Sequence, residues 1–189
     1  MLMRYSGLLN ERGSMRIAVF CVGNKLMLDD GLGPAVYEEL QAYDFAGAVD
    51  LFDVGCMSLD LVNKVATYDF IITVDALEGT GEAPGTILRF SPDDAARRGF
   101  GSQSLHDLRL SDLFDAAALL GYHAQGVCLG MQIENANPID LTIGLTPAIA
   151  AKLPDLVDAV LAELVAAGVE VCLAATGERV AVGYHHLMG

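Results

Sequence analysis

Arg16-Ile17-Ala18-Val19-Phe20-Cys21-Val22, followed by Gly23-Asn24-Lys25-Leu26-Met27-Leu28-Asp29-Asp30-Gly31-Leu32-Gly33-Pro34, is the stretch that decides the fold. Its first seven residues are almost uniformly apolar and rich in β-formers. A strand covered on both faces has that composition, whereas a half-exposed strand alternates. The loop that follows opens a helix over about 31–43. Working outward, Ala48–Val54 reads as a second strand followed by a helix over 58–68 with Ser58 as N-cap. Asp69–Asp75 reads as a third strand, and Thr86–Phe90 as a fourth after the turn-rich Glu78–Gly85. Residues 91–104 read as a mobile loop. Leu110, Leu113, Ala117 and Leu120 mark one face of a helix, and Ala124–Ile133 is a fifth strand. Thr146-Pro147 opens the last helix, Pro154 should kink or split it, and Gly168 ends it. Strand–helix alternation in one short chain predicts an α/β single domain. It is a three-layer sandwich with a mostly parallel, flavodoxin-like or phosphorylase-like sheet and helices on both faces. Residues 1–14 read as an N-terminal extension, 15–172 as the α/β domain and 173–189 as a C-terminal tail without clear pattern.

Composition narrows the function. Eleven Lys and Arg against 25 Asp and Glu give a net charge of −14, which repels phosphate backbones and anionic lipid. Nucleic-acid and membrane-surface binding are therefore not expected; membrane insertion is not expected either, because the longest stretch without Asp, Glu, Lys or Arg, 116–133, is broken by Gly121, His123, Gln125 and Gly126. With 53% hydrophobic and 19% charged residues the 189-residue chain can bury a sizeable core. Cys21, Cys56, Cys128 and Cys172 contain no C-x-x-C pair, so they read as thiols in a reducing cytoplasm rather than as a zinc or redox motif. No G-x-S-x-G elbow is present, and no serine stands in an activated context.

In an open parallel sheet, ligands bind beyond the carboxyl ends of the strands, where strand order reverses. Three residues fall in loops at that end. Asp30 closes the first loop. A nucleotide-binding reading fails there, because the glycines come late and two carboxylates at the helix start would repel a pyrophosphate. Asp29 beside it reads first as a helix cap, while Asp30 reads either as a cap or as a site carboxylate. Asp75 ends the third strand, where it serves either as a site carboxylate or as a turn residue. His106, after the 91–104 loop, is by itself an ordinary surface histidine. Together, Asp30, Asp75 and His106 form an oxygen, oxygen, nitrogen half-shell suited to a divalent transition metal with positions left open. His123 and His185-His186 have no such context, and Cys56 reads as a small residue in a strand-to-helix turn.

These residues resemble a family. Val22-Gly23-Asn24 with Met27–Pro34 is similar to the opening signature of the nickel–iron hydrogenase maturation endopeptidases. Ile72-Thr73-Val74-Asp75-Ala76, Ala83-Pro84-Gly85-Thr86, Ser104-Leu105-His106-Asp107-Leu108 and Leu141–Pro147 resemble its further motifs. Leu129-Gly130-Met131-Gln132 keeps its G-x-Q but lacks the proline that often follows, and Cys21, just before Val22-Gly23, replaces the glycine common at that position. The resemblance covers Met15 to about Val171. It implies an aspartic-type endopeptidase that removes a C-terminal extension from the hydrogenase large-subunit precursor after nickel insertion. Nickel is then carried by the precursor and serves as the recognition element. Asp30, Asp75 and His106 become the metal-contacting and catalytic residues. A cytoplasmic protein is implied, with a monomer the expected state. The alternatives are a non-cleaving nickel-binding chaperone or adaptor of hydrogenase assembly and, more remotely, a nucleotide-binding regulator.

Overall fold

The computed structural model describes residues 15–55, 61–91, 94, 119, 121 and 125–181. The elements run β1 (Arg16–Val22), α1 (Leu32–Leu40), β2 (Tyr43–Ala46), β3 (Ala48–Gly55), α2 (Val62–Val65) and β4 (Phe70–Leu77). They continue with β5 (Ile87–Phe90), β6 (Gln125–Gln132), α3 (Pro147–Ala150), α4 (Leu153–Ala166) and β7 (Glu170–Leu173). A 3-10 turn over Leu28–Gly31 leads into α1. Ser58, the 95–118 segment with its expected helix face, Cys56, His106, His123 and His185-His186 lie outside the described residues.

The main sheet has the order β3-β1-β4-β6-β5, parallel except for β5 at the edge. This is the expected mostly parallel α/β sheet, and its order reverses between β1 and β4. β1 lies near its middle and is buried from Ile17 to Val22, as its unbroken apolar run requires. Ile17, Val19 and Cys21 join one core cluster with Ile72, Val74, Val127 and Leu129. Leu32, Val36 and Leu40 of α1, at helical spacing, and Leu156, Val160, Leu161 and Leu164 of α4 complete that cluster. Ala18, Phe20 and Val22 point the other way, with Ile71, against Val62 and Val65 of α2 and Tyr68. The sheet is thus covered on both faces.

Two segments differ from these expectations. The helix expected to reach residue 43 ends at Leu40. Tyr43–Ala46 instead pairs antiparallel with Glu170–Leu173, a partner far along the chain that no local period reveals. Beyond Cys172 the chain turns, with a bridge from Cys172 to Arg179 and the Val180 amide donating to Val171. The split at Pro154 is present, between α3 and α4. Proline sits in the first turn of α4, where its missing N–H costs nothing.

The edge strand is fastened to α4 by Arg89, whose guanidinium meets Glu163 with Nε at 2.6 Å from Oε1 and a second nitrogen at 3.1 Å from Oε2. The Glu163 side chain is only 7% exposed while that of Arg89 is 47% exposed. Removing the half-exposed partner leaves a buried carboxylate short of donors, whereas replacing both groups removes the demand. Arg89→Ala should therefore cost about 2 kcal/mol in urea unfolding, and Arg89→Leu with Glu163→Leu should recover most of that loss.

Cys21 and Cys128 are buried and Cys172 is half-buried, all as free thiols. Burial, reinforced by the negative charge of Asp53, pushes the Cys21 thiol up to about 12. Burial, and then Asp75, raises Cys128 as well. Because the thiolate is the reactive form, both should resist iodoacetamide in the native protein at pH 8 and react on unfolding. Peptide mapping of the alkylated sites would check this; native labelling of either residue would contradict it.

Candidate active site

The carboxyl end of the sheet is built by close backbone contact. A side chain at Gly33 would place a Cβ 2.0 Å from the Val22 carbonyl oxygen, so the first turn of α1 rests directly on the end of β1. Gly23, at φ +140°, is as tight: a Cβ there would meet the Asp30 carbonyl oxygen at 2.0 Å. The glycines of this loop serve packing of chain on chain, which explains a glycine pattern that fits no phosphate-binding motif. The Gly23 amide also donates to Gly55 at 3.0 Å, drawing the ends of β1 and β3 together.

Asp30 is half-buried at the base of this loop. The Asn24 amide donates both to the Asp30 carbonyl oxygen (3.1 Å) and to its Oδ2 (3.0 Å). Asn24 in turn accepts from the Leu26 amide through Oδ1 (3.0 Å) and from the Met27 amide through its carbonyl oxygen (2.9 Å). The loop therefore closes on itself and fixes where Asp30 begins. Asp75 lies on the adjacent strand. Cys21 pairs with Val74, so Asp75 is one residue past the last paired position, beside the Val22–Gly23 exit. Its Oδ1 accepts from the Ala76 amide at 2.8 Å. Neighbouring strands run about 4.8 Å apart. The structure thus brings Asp30 and Asp75 to the same end of two adjoining strands, at the point where strand order reverses. His106 lies outside the described residues. Among the described residues no group of three His, Cys, Asp or Glu side chains could hold a metal ion.

Asp29 does something the sequence did not reveal. It does not cap α1, whose N-cap is Gly31 without a side-chain bond. It is fully buried and points toward the segment after β6. Oδ1 accepts from the Thr146 amide (2.7 Å); Oδ2 accepts from Asn135 (2.9 Å) and Glu134 (3.3 Å) amides and from Thr146 Oγ1 (3.0 Å). A carboxylate is all acceptor, which is what four converging donors require. Asp29 thereby ties the Asp30 loop to the entry of α3. The tandem acids divide the labour: one anchors the loop and the other stands at its mouth.

The G-x-Q segment has a comparable role. A Cβ on Gly130 would strike the Leu77 side chain at 2.3 Å. Gln132 accepts through Oε1 from the Thr80 amide (3.0 Å) and hydroxyl (2.6 Å), holding the loop that leaves β4 just past Asp75.

The fold is that of a small three-layer α/β protein, with Asp30 and Asp75 at the carboxyl edge of its sheet. A family model for hydrogenase maturation proteases matches residues 34–163, a span that includes Asp75 and His106 and begins four residues after Asp30. The hydrogenase 2 maturation protease of Escherichia coli K12 is 32% identical over 158 residues, covering 82% of this chain and 94% of the relative. A hydrogenase expression/formation protein, HupD, of Rhodobacter capsulatus is 30% identical over 166 residues, or 85% of this chain and 77% of the relative. Among solved structures, the hydrogenase maturating endopeptidase HybD from E. coli superposes with a TM-score of 0.77 at 30% identity, covering 85% of this chain and 99% of HybD. The chain belongs to the hydrogenase maturation protease family, and it is an endopeptidase. Among the described residues no helix is long and apolar enough to cross a membrane.

Proposed function

We propose that this endopeptidase removes the C-terminal extension of a nickel–iron hydrogenase large-subunit precursor once nickel is in place, and that the nickel on the precursor is what it recognises. The observation that carries the reading is that Asp30, packed on Gly23 just past β1, and Asp75, one residue beyond the last pair of β4 with β1, lie at the same end of the sheet beside the switch point. Two carboxylates held near one another repel unless a cation or a shared proton lies between them. A divalent ion delivered by the substrate relieves that repulsion, so binding is favoured for the loaded precursor over the empty one. His106 supplies the nitrogen donor of the set. Carboxylate and imidazole donors with positions left open suit nickel already held by the precursor's thiolates. In this reading nickel seats the tail in the crevice, and one of the carboxylates takes the proton from the attacking water. The family's protease chemistry favours cutting over the chaperone alternative. Incubation with nickel-loaded precursor, followed by mass analysis, should reveal a shortened large subunit with one new C-terminus and a released tail. A bound precursor of unchanged mass would instead mean a chaperone.

A further inference from the structure

Ile139-Asp140-Leu141-Thr142-Ile143 alternates apolar and polar residues as a half-buried strand does, yet its apolar side is turned outward. Ile139 is fully exposed, Leu141 is 73% exposed and Ile143 75% exposed. The chain bends at Ile139 and Asp140, and from Leu141 to Ile143 it is fixed by a parallel bridge between Thr142 and Met27. The Thr142 amide donates to Leu26 (2.9 Å), and the Thr142 carbonyl accepts from Leu28 (2.8 Å). Period-two geometry puts Leu141 and Ile143 on one side of this ribbon, with Leu26, itself 41% exposed, on the same side across the bridge. Since Thr142 spends both its backbone groups on the 26–28 segment, those of Leu141 and Ile143 face the opposite edge. Among the described residues that edge has no strand beside it.

From this we infer that the 141–143 edge, with Ile139 exposed beside it, is where the precursor polypeptide docks, as an added extended segment with apolar side chains at alternate positions and basic residues flanking them. The inference rests on the endopeptidase reading above. Three observations select this occupant. First, the ribbon is continuous with the candidate active site, because the Met27 carbonyl accepts from the Asp30 amide at 3.2 Å. Second, an endopeptidase needs its substrate extended next to the reacting groups, and an open strand edge supplies backbone bonds to a chain of any sequence while alternate side chains select it. Third, from Glu134 to Ala151 the charged residues are Glu134 and Asp140, with no Lys or Arg, and Lys25 beside Leu26 is paired with Glu38 at 3.5 Å, on a chain of net charge −14. Basic flanks complement that field. Asp29, buried and bonded to Glu134, Asn135 and Thr146, fastens the chain on either side of the edge.

The test compares wild type with the double variant Leu141→Ser, Ile143→Ser. Both side chains are solvent-exposed, so the thermal midpoint should stay at the wild-type value. The Kd for nickel-loaded large-subunit precursor, read by sedimentation, should rise about tenfold or more. Its KM should rise in step, with kcat unchanged. An unchanged Kd overturns the inference, as does a wild-type protein that binds no precursor. A protein that self-associates through this edge, with the double variant losing dimers but binding precursor normally, overturns it in favour of a second copy. Cleavage by the wild type, read separately by mass, decides the protease reading whichever way the docking result falls.

Discussion

Asp30→Ala and Asp75→Ala should each slow shortening of the nickel-loaded precursor by roughly three orders of magnitude while leaving the thermal midpoint within a few degrees of wild type. The small stability cost follows from the contacts: Asp30 Oδ2 shares the Asn24 amide with its own carbonyl, and Asp75 Oδ1 receives the adjacent Ala76 amide. Both side chains are half-buried, unlike that of Asp29, which is sealed in the core. The large activity cost follows from the proposed role, since losing either acid removes a nickel donor and one candidate base. His106→Ala belongs to the same series and should behave alike. Timed mass spectra of the precursor, with a melting curve for each variant, measure both quantities. If all three variants process at the wild-type rate, the assignment of the site is wrong.

Asp29→Asn should do the opposite. The amide nitrogen of Asn is a donor, and every group around this carboxylate already donates: the Thr146, Asn135 and Glu134 amides and the Thr146 hydroxyl. Whichever way the amide is turned, a buried N–H faces a buried N–H. The expected loss is about 3 kcal/mol. For a chain of this size that lowers the midpoint by about 10 °C. Precursor processing below the midpoint should persist, because Asp30 remains. A near-isosteric change thus separates adjacent acids by readout: one moves stability and the other moves rate. An Asp29→Asn midpoint equal to wild type would show that the anchor does not bear on the fold.

How much of this was legible in the sequence depended on whether the cause was local. β1 was readable because burial on both faces demands an unbroken apolar run, and Arg16–Val22 provides one. The break before α4 was readable because Pro154 cannot donate within a helix. Asp75 was placed near the carboxyl end of its strand by the apolar residues preceding it, although β4 continues two residues further to Leu77, and Asp30 was placed by the loop ahead of α1. The pairing of β2 with β7 was not readable: Tyr43 meets Leu173, and four residues carry too short a period to distinguish a strand from a helix end. The duty of Asp29 was hidden for the same reason, since its donors lie more than 100 positions away along the chain. Gly23 and Gly33 were visible as glycines, but the requirement for them became plain only when Val22 and Asp30 were seen pressed against them. The alternation at Ile139–Ile143 was present in the sequence too. Only exposure shows that its apolar side faces outward.

The account turns on nickel in the precursor as the condition for cutting, and one comparison tests it most directly. The same large-subunit precursor, nickel-loaded and nickel-free, is incubated with the wild-type protein and weighed intact by mass spectrometry. The account predicts that the loaded precursor loses a C-terminal peptide while the nickel-free one keeps its full mass. Equal shortening of both, or of neither, would contradict it.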